Sequence, residues 1–407
     1  MGCARSRSRF GAALLAVIGV GLGLRLWGLD YGLPHPAARP DEEVLIARLL
    51  AFDAGDPNPH WFIYPTFYLY LTYAWVKAVL LGGRLLGMLA GPTELSALMA
   101  VDPGRVSLVA RGLSALLGTA TIALTYAVAR AVADRRAALI AAVIVAVSFL
   151  HVRESHFFKP DAALGFFATL ALLALVRLQR TGSARAAVAA GAACGLAFGV
   201  KYDVALGAAL PCAVLLGPAD GVAAPRWRRL LVAGITAAAV GIAASPFLVL
   251  DRRQLGAWLD ELYFWFSHGG GGMASGFGYH LEYSFLAAQG LPFAVFAVAA
   301  LVWQGARRRH APLTAFVLAS FVEFGVASAA YTRFVTPLLP ALAVLAGVAV
   351  VRLGARVASP ALRTAAMAVL VALLVARPLA SAVAFDRVVG RPDTRLLARA
   401  WLEAHVT

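Results

Sequence analysis

Charge is scarce in this 407-residue chain: 14% of its residues are Asp, Glu, Lys or Arg, against 61% hydrophobic. The mean hydropathy is +0.78. No soluble domain has an interior large enough for that much apolar surface. Long apolar runs recur from end to end, so the chain reads as an all-α, polytopic membrane protein. Acid is scarcer still, 21 Asp and Glu against 36 Lys and Arg, for a net charge of +15. Such a balance would suit a nucleic-acid partner if the base were spread over a surface. Here the arginines cluster in short loops between apolar runs, the pattern of cytoplasmic loops facing anionic lipid, and no nucleic-acid partner is expected. Cysteine is almost missing. Cys3, Cys194 and Cys212 have no metal-ligand spacing, and two of them lie in apolar runs, so a disulfide framework is not expected. An internal repeat of the transporter kind is also absent.

Arginine positions set the topology. Residues 10–27 form a first span with a basic cytoplasmic start, resembling an uncleaved secretory signal. Residues 28–105 follow as an outer region. Within it, residues 64–86 are apolar enough to cross, but the next loop, 87–104, carries Glu94 and Asp102 and no lysine or arginine. A crossing there would put every later basic loop on the wrong side. Residues 64–86 are therefore expected to be an amphipathic or re-entrant helix on the outer face. Spans follow at about 107–132, 137–150 and from Asp161 towards Arg177. Two short ones then meet at Lys201, Tyr202 and Asp203, and another covers about 230–250. A long outer loop takes up about 251–283, with a glycine run at 269–272 that reads as mobile. Four further spans follow, the last at about 365–384. The count is about eleven, with every arginine-rich short loop on one side. The expected organisation is a membrane module over 1–384 and, at 385–407, the start of an outer C-terminal segment, truncated or minimal.

With that topology, the remaining charged residues gather on the outer face. Arg39, Pro40, Asp41, Glu42 and Glu43 sit just past the first span, where charge is expensive. His156, Asp161, Lys201, Tyr202 and Arg333 lie at the outer rims of other spans. A shared outward cavity lined by acids and bases suits acid–base chemistry or capture of an anionic lipid headgroup. Each member also has a plainer reading. Asp41 and Asp161 suit helix starts, His156 suits a backbone carbonyl, Lys201 can snorkel, and Arg333 can anchor a span end. Trp61, Tyr64, Tyr68, Tyr70, Tyr263, Phe264, Trp265 and Phe266 border the same face, as an interfacial belt, a sugar platform or a groove for a prenyl chain.

Several short motifs then fall in a telling order: Arg39-Pro40-Asp41-Glu42 after the first span, and Tyr64-Pro65 opening an aromatic helix. His151, Ser155 and His156 lead to Asp161. Gly199, Val200, Lys201 and Tyr202 follow, and last comes Arg333 before Pro337. Together they resemble the C-type membrane glycosyltransferases, in particular the protein O-mannosyltransferase and aminoarabinose transferase group. The resemblance implies a bundle with membrane-parallel helices in the first outer loop. It implies a sugar donor carried on polyprenyl phosphate, and chemistry on a periplasmic or lumenal face; the expected location is the outer face of a bacterial cytoplasmic membrane. An acidic residue in the first outer loop matches Asp41, and a second acidic site matches Asp161.

The expected reaction is sugar transfer to a lipid, glycan or protein acceptor with inversion, Asp41 acting as general base and Glu42 orienting it or the sugar. Lys201 and Arg333 would hold the phosphate. Arg39, Tyr64, His156, Asp161 and Tyr202 would shape the substrate site. No cofactor is expected; a divalent ion has possible ligands in Asp41, Glu42, His156 and Asp161, but cations beside the leaving phosphate lessen the need for one. The alternative is a transporter or flippase of lipid-linked sugars, which would share the lipid groove and not need the Asp41–Glu42 pair.

Overall fold

The computed structural model describes residues 2–35, 39–218, 225–268 and 276–406. Among them regular structure is helical throughout, with no strand. The chain opens with α1 (Gly2–Leu26), α2 (Pro40–Asp53), α3 (Phe67–Leu85), α4 (Leu95–Val101) and α5 (Pro103–Val132). Then come α6 (Arg135–Val147), α7 (Phe149–Glu154), α8 (Pro160–Thr181), α9 (Ala184–Val200), α10 (Leu206–Leu215) and α11 (Arg226–Ala244). The second half holds α12 (Phe247–Leu250), α13 (Arg252–His268), α14 (Gly276–Tyr279), α15 (Leu291–Gly305), α16 (Ala311–Gly325), α17 (Leu338–Gly354), α18 (Pro360–Val389) and α19 (Thr394–His405). Proline opens α2, α5, α8 and α18, where its missing N–H costs nothing and its fixed φ suits a first turn.

A helix occupies each expected span. Five are long and apolar enough to cross a membrane by themselves, and a sixth forms if the bent pair around residue 290 counts as one. The π-helical turn His280–Ala287 meets α15 at 119° there. Helices α9, α10 and α17 are shorter apolar helices, and α9 and α10 break at 201–205, where the sequence places Lys201, Tyr202 and Asp203. Burial sorts the bundle into a centre and a rim. The apolar stretch of α8 is 78% buried and α17 is buried along most of its length, whereas those of α1 and α18 are 11% and 17% buried. Apolar side chains such as Leu15, Ile235 and Val369 point outward from the rim, as lipid-facing residues do. Where α9 meets α11, Gly191 and Gly195 let the backbones touch, since a Cβ at either would collide with the carbonyls of Ala233 or Ala237.

The loops collect at two ends. At one end, Arg308 donates to the carbonyls of Leu216 and Gly217, Arg229 to that of Pro218, and Arg180 to that of Ala131. At the other lie the starts of α5, α8 and α17 and the ends of α1, α9 and α11. The polar partners of α3 lie at this second end. The Phe67 N–H donates to Ser245, Trp75 to the carbonyl of Val109, and Lys77 to Asp53 and the carbonyl of Thr93. Helix α3 therefore lies across the end of the bundle rather than through it.

Some expectations are corrected. Trp61 and Tyr68 are buried in the core, not on an exposed aromatic border, while Tyr263, Phe264 and Trp265 are exposed on α13. The outer loop at 251–283 is largely helical, and its glycine run at 269–272 lies outside the described residues. Helix α18 continues past residue 384 to Val389, carrying a buried Asp386.

Candidate active site

Two neighbouring acids open α2 and go separate ways. A helix turns by about 100° per residue, so adjacent side chains cannot share a direction. Glu42 points into the bundle and is buried against Arg111 of α5, itself fully buried. Arg111 donates to Glu42 at 2.7 Å from Nη2 and 3.0 Å from Nε, and its Nη1 donates to the carbonyls of Leu29 and Tyr31. Glu42 also accepts the Phe158 N–H at 2.9 Å. Each guanidinium nitrogen of Arg111 has a partner, which is the condition for a buried ion pair to be tolerated. Glu42, expected beside Asp41 in the chemistry, thus ties the first outer loop, α5 and residues 155–159 together.

Asp41 points to the surface, half exposed, and its carboxylate is paired with the Lys159 ammonium. Burial works against its charge, but Lys159, then Arg333 and Arg39, outweigh it and hold the carboxyl below its ordinary range. Beside it a cavity of about 260 Å³ is lined by Arg39, Arg153, Glu154, Phe157, Lys159, Arg333 and Phe385. Four cations there face one lining carboxylate. Arg39 stacks 3.8 Å over the Phe157 ring. Arg153 is held by Glu154 at 2.7 Å and by the Thr332 hydroxyl at 2.8 Å.

Asp161, in the first turn of α8, lies beneath. It accepts from Lys201 at 3.1 Å and pairs with Arg333 Nε at 3.9 Å. Lys201 sits at the α9–α10 break, 4.7 Å over the Phe334 ring and 5.9 Å from that of Tyr64. Burial works against the charge of Arg333, and Asp161, Tyr64 and Asp41 more than restore it, raising its basicity. The structure therefore brings Arg39, Asp41, Tyr64, Asp161, Lys201 and Arg333 into one connected cluster. It does not bring in Tyr202, whose hydroxyl donates to the Phe62 carbonyl at 3.0 Å. Nor does it bring in His156, whose ring lies between the carbonyls of Val152 and Trp27. Among the described residues, no three His, Cys, Asp or Glu side chains are grouped as metal ligands.

Sequence reasoning gave no role to Arg111, Arg153 or Lys159. A signal for Lys159 was present. The chain has three lysines, Lys77, Lys159 and Lys201, and two of them form the cluster. Arg111 carried a weaker one, as a lone charge inside an apolar span.

Residues 95–250 match the family model described as dolichyl-phosphate-mannose-protein mannosyltransferase. ArnT from Cupriavidus metallidurans, solved with undecaprenyl phosphate, superposes with a TM-score of 0.61 at 22% identity, over 89% of this chain and 62% of that one. The fold is that of the C-type membrane glycosyltransferases. The archaeal oligosaccharyltransferase AglB from Archaeoglobus fulgidus, solved with an inhibitory peptide and a dolichol-phosphate, shares it. Its TM-score is 0.57 at 14% identity, over 99% of this chain and 58% of that one. This C-type glycosyltransferase-fold chain spans about three fifths of the length of both. A search of curated protein sequences returned no match. The resemblance read from the motifs is thus borne out in the fold, and the mannosyltransferase match covers the stretch that holds Arg111, Lys159, Asp161 and Lys201.

Proposed function

We propose that the protein transfers a sugar from a polyprenyl phosphate to an acceptor on the outer side of a bacterial cytoplasmic membrane, with inversion. The observation that carries this reading is a solvent-reachable carboxylate, Asp41, at the edge of a cavity lined by Arg39, Arg153, Lys159 and Arg333. The acceptor oxygen attacks the anomeric carbon, the bond from that carbon to the phosphate oxygen breaks, and Asp41 takes the acceptor proton. The electron pair leaves with the polyprenyl phosphate, whose charge the four cations receive. Asp41 is a weak base in the ground state, but the acceptor hydroxyl becomes far more acidic as its oxygen bonds to carbon. Asp161 and Lys201 sit beneath and fix Arg333. The positive charge that the leaving phosphate needs comes from side chains, so a chelator should leave turnover unchanged.

Lipid-phosphate bound to ArnT and AglB supports the donor class. Basic loops gathered at the opposite end of the bundle support the sidedness. The test is release of sugar from a labelled polyprenyl-phosphate donor by protein in proteoliposomes. Asp41→Asn should lower transfer by about 10²- to 10⁴-fold, the range for losing a general base, while the protein remains monodisperse. Near-normal transfer by that variant would remove Asp41 from the role. Lipid movement across vesicles without transfer to any acceptor would replace the reading with that of a flippase.

A further inference from the structure

His156 and Asp386 are used by no step above, yet both are buried and each is next in sequence to a residue that lines the cavity, Phe157 and Phe385. The His156 ring has Nδ1 at 2.9 Å from the Val152 carbonyl and Nε2 at 3.0 Å from the Trp27 carbonyl. Carbonyl oxygens only accept. A neutral imidazole has one N–H and would leave a lone pair facing one of them, whereas the imidazolium donates to both. Asp386 of α18 lies 3.4 Å from Nε2, and neither of its oxygens has a hydrogen-bond partner among the described residues. An unpartnered carboxylate in a membrane-embedded helix is costly unless a cation is near, and the groups placed to supply one are Arg25 and the His156 ring.

We propose that His156 and Asp386 form a buried imidazolium–carboxylate pair that positions residues 155–159, and through them Lys159 against Asp41. The proposal rests on the transfer reading only for its catalytic consequence.

The segment is short and held at both ends. His156 fastens it to Trp27 just past α1, to α7 and to α18, the Phe158 N–H fastens it to Glu42, and Lys159 comes next. Phe385, the neighbour of Asp386, packs edge-on against the His156 ring at 5.1 Å and against Phe157, which carries Arg39. The charges around the ring are Arg25 of α1, Arg111 of α5 and Asp386, with His151 of α7 bonded to Arg25. Burial is the first influence on the ring and lowers its basicity, Arg25 and Arg111 act the same way, and the two carbonyls act against them. Asp386 adds an opposite charge at 3.4 Å in a low-dielectric site, and only one proton has to be placed between the two groups. With the proton on Asp386, one ring nitrogen would turn a lone pair on a carbonyl oxygen, and this favours the ring as its place.

The test uses the full chain in nanodiscs with ¹⁵N-labelled histidine. Subtracting the spectrum of His156→Gln isolates one ring among the eight histidines. The expected result at pH 7.5 is a ring with both nitrogens protonated, which Asp386→Asn converts to a single N–H and Asp386→Glu restores. A neutral ring in the wild type, or a charged one that survives Asp386→Asn, overturns the pair. If His156→Gln does not fold, the wild type minus Asp386→Asn difference reads the same ring. The positioning role is read from transfer kinetics. Asp386→Asn should lower kcat roughly ten- to a hundredfold, the scale of a small misplacement, and move the acid limb of the pH profile upward as Asp41 loses Lys159. A fall in kcat with an unmoved acid limb would mark Asp386 as merely structural. If no transfer is found with any donor, the ring measurement still decides the pair.

Discussion

The two ends of the bundle use their positive charge differently. At one end the arginines cap backbone: Arg308 reaches the carbonyls of Leu216 and Gly217, Arg229 that of Pro218, and Arg180 that of Ala131. At the other end cations face side-chain carboxylates and each other: Lys159 with Asp41, Lys201 and Arg333 with Asp161, Arg111 with Glu42. The first arrangement closes helix ends. The second concentrates charge of both signs around a cavity, which costs desolvation and is worth having where a charged substrate is handled. All three lysines of the chain are at the second end. On the proposed reading, the compact, mobile ammonium of Lys159 suits a phosphate that must be gripped and released.

The comparison can be broken most directly by sidedness. In a background lacking Cys3, Cys194 and Cys212, an exposed Met88→Cys at the site end should react fully with an impermeant thiol reagent in intact cells. Arg136→Cys, at the arginine end, should not react until the membrane is opened. The reverse pattern would put the proposed chemistry in the cytoplasm. Next in size is Arg111→Met, which strips a buried carboxylate of its cation. It should destabilise the protein by about 3–5 kcal/mol, seen as a large drop in the unfolding temperature or as loss of folded protein. An unchanged melt would show that Glu42 is solvated or protonated.

Lys159→Met sharpens the contrast through pH. Lys159 is the strongest of the cations that hold the Asp41 carboxyl below its ordinary range. Without it Asp41 takes up a proton at higher pH, so the acid limb of the transfer profile should move upward while the basic limb stays. An acid limb that does not move would mean that Asp41 does not govern it. The smallest effect belongs to the arginine end. Arg308→Ala removes two hydrogen bonds from an exposed side chain and should cost less than about 1 kcal/mol, with turnover near that of the wild type. A large loss of transfer there would end the separation of roles between the two ends.

Much of this was legible in the sequence. The spans, the break at Lys201, and the placing of residues 64–86 outside the bundle's interior follow from apolar runs and from where arginines fall. Asp41, Asp161, Lys201 and Arg333 stood out because charge at a span rim is rare, and the structure places them in one cluster. Three things were hidden. Glu42 and Asp41 are indistinguishable as letters, yet one is a buried strut and the other faces solvent. Arg153 is one of many arginines, and only contact with Thr332 and Glu154 shows that it lines the cavity. His156 looked like a site residue until its two carbonyls were seen.

The sequence by itself determined the fold class and the sorting of charge between two ends, because the cost of moving charge into hydrocarbon depends on composition over short stretches. Which residues meet was decided by tertiary structure alone. Asp386 reaches His156 across 230 positions, as 386 − 156 shows, and Arg111 reaches Glu42 across 69. Such pairings depend on helix rotation and packing, where a change of one residue turns a side chain by about 100° and exchanges a cavity for the core.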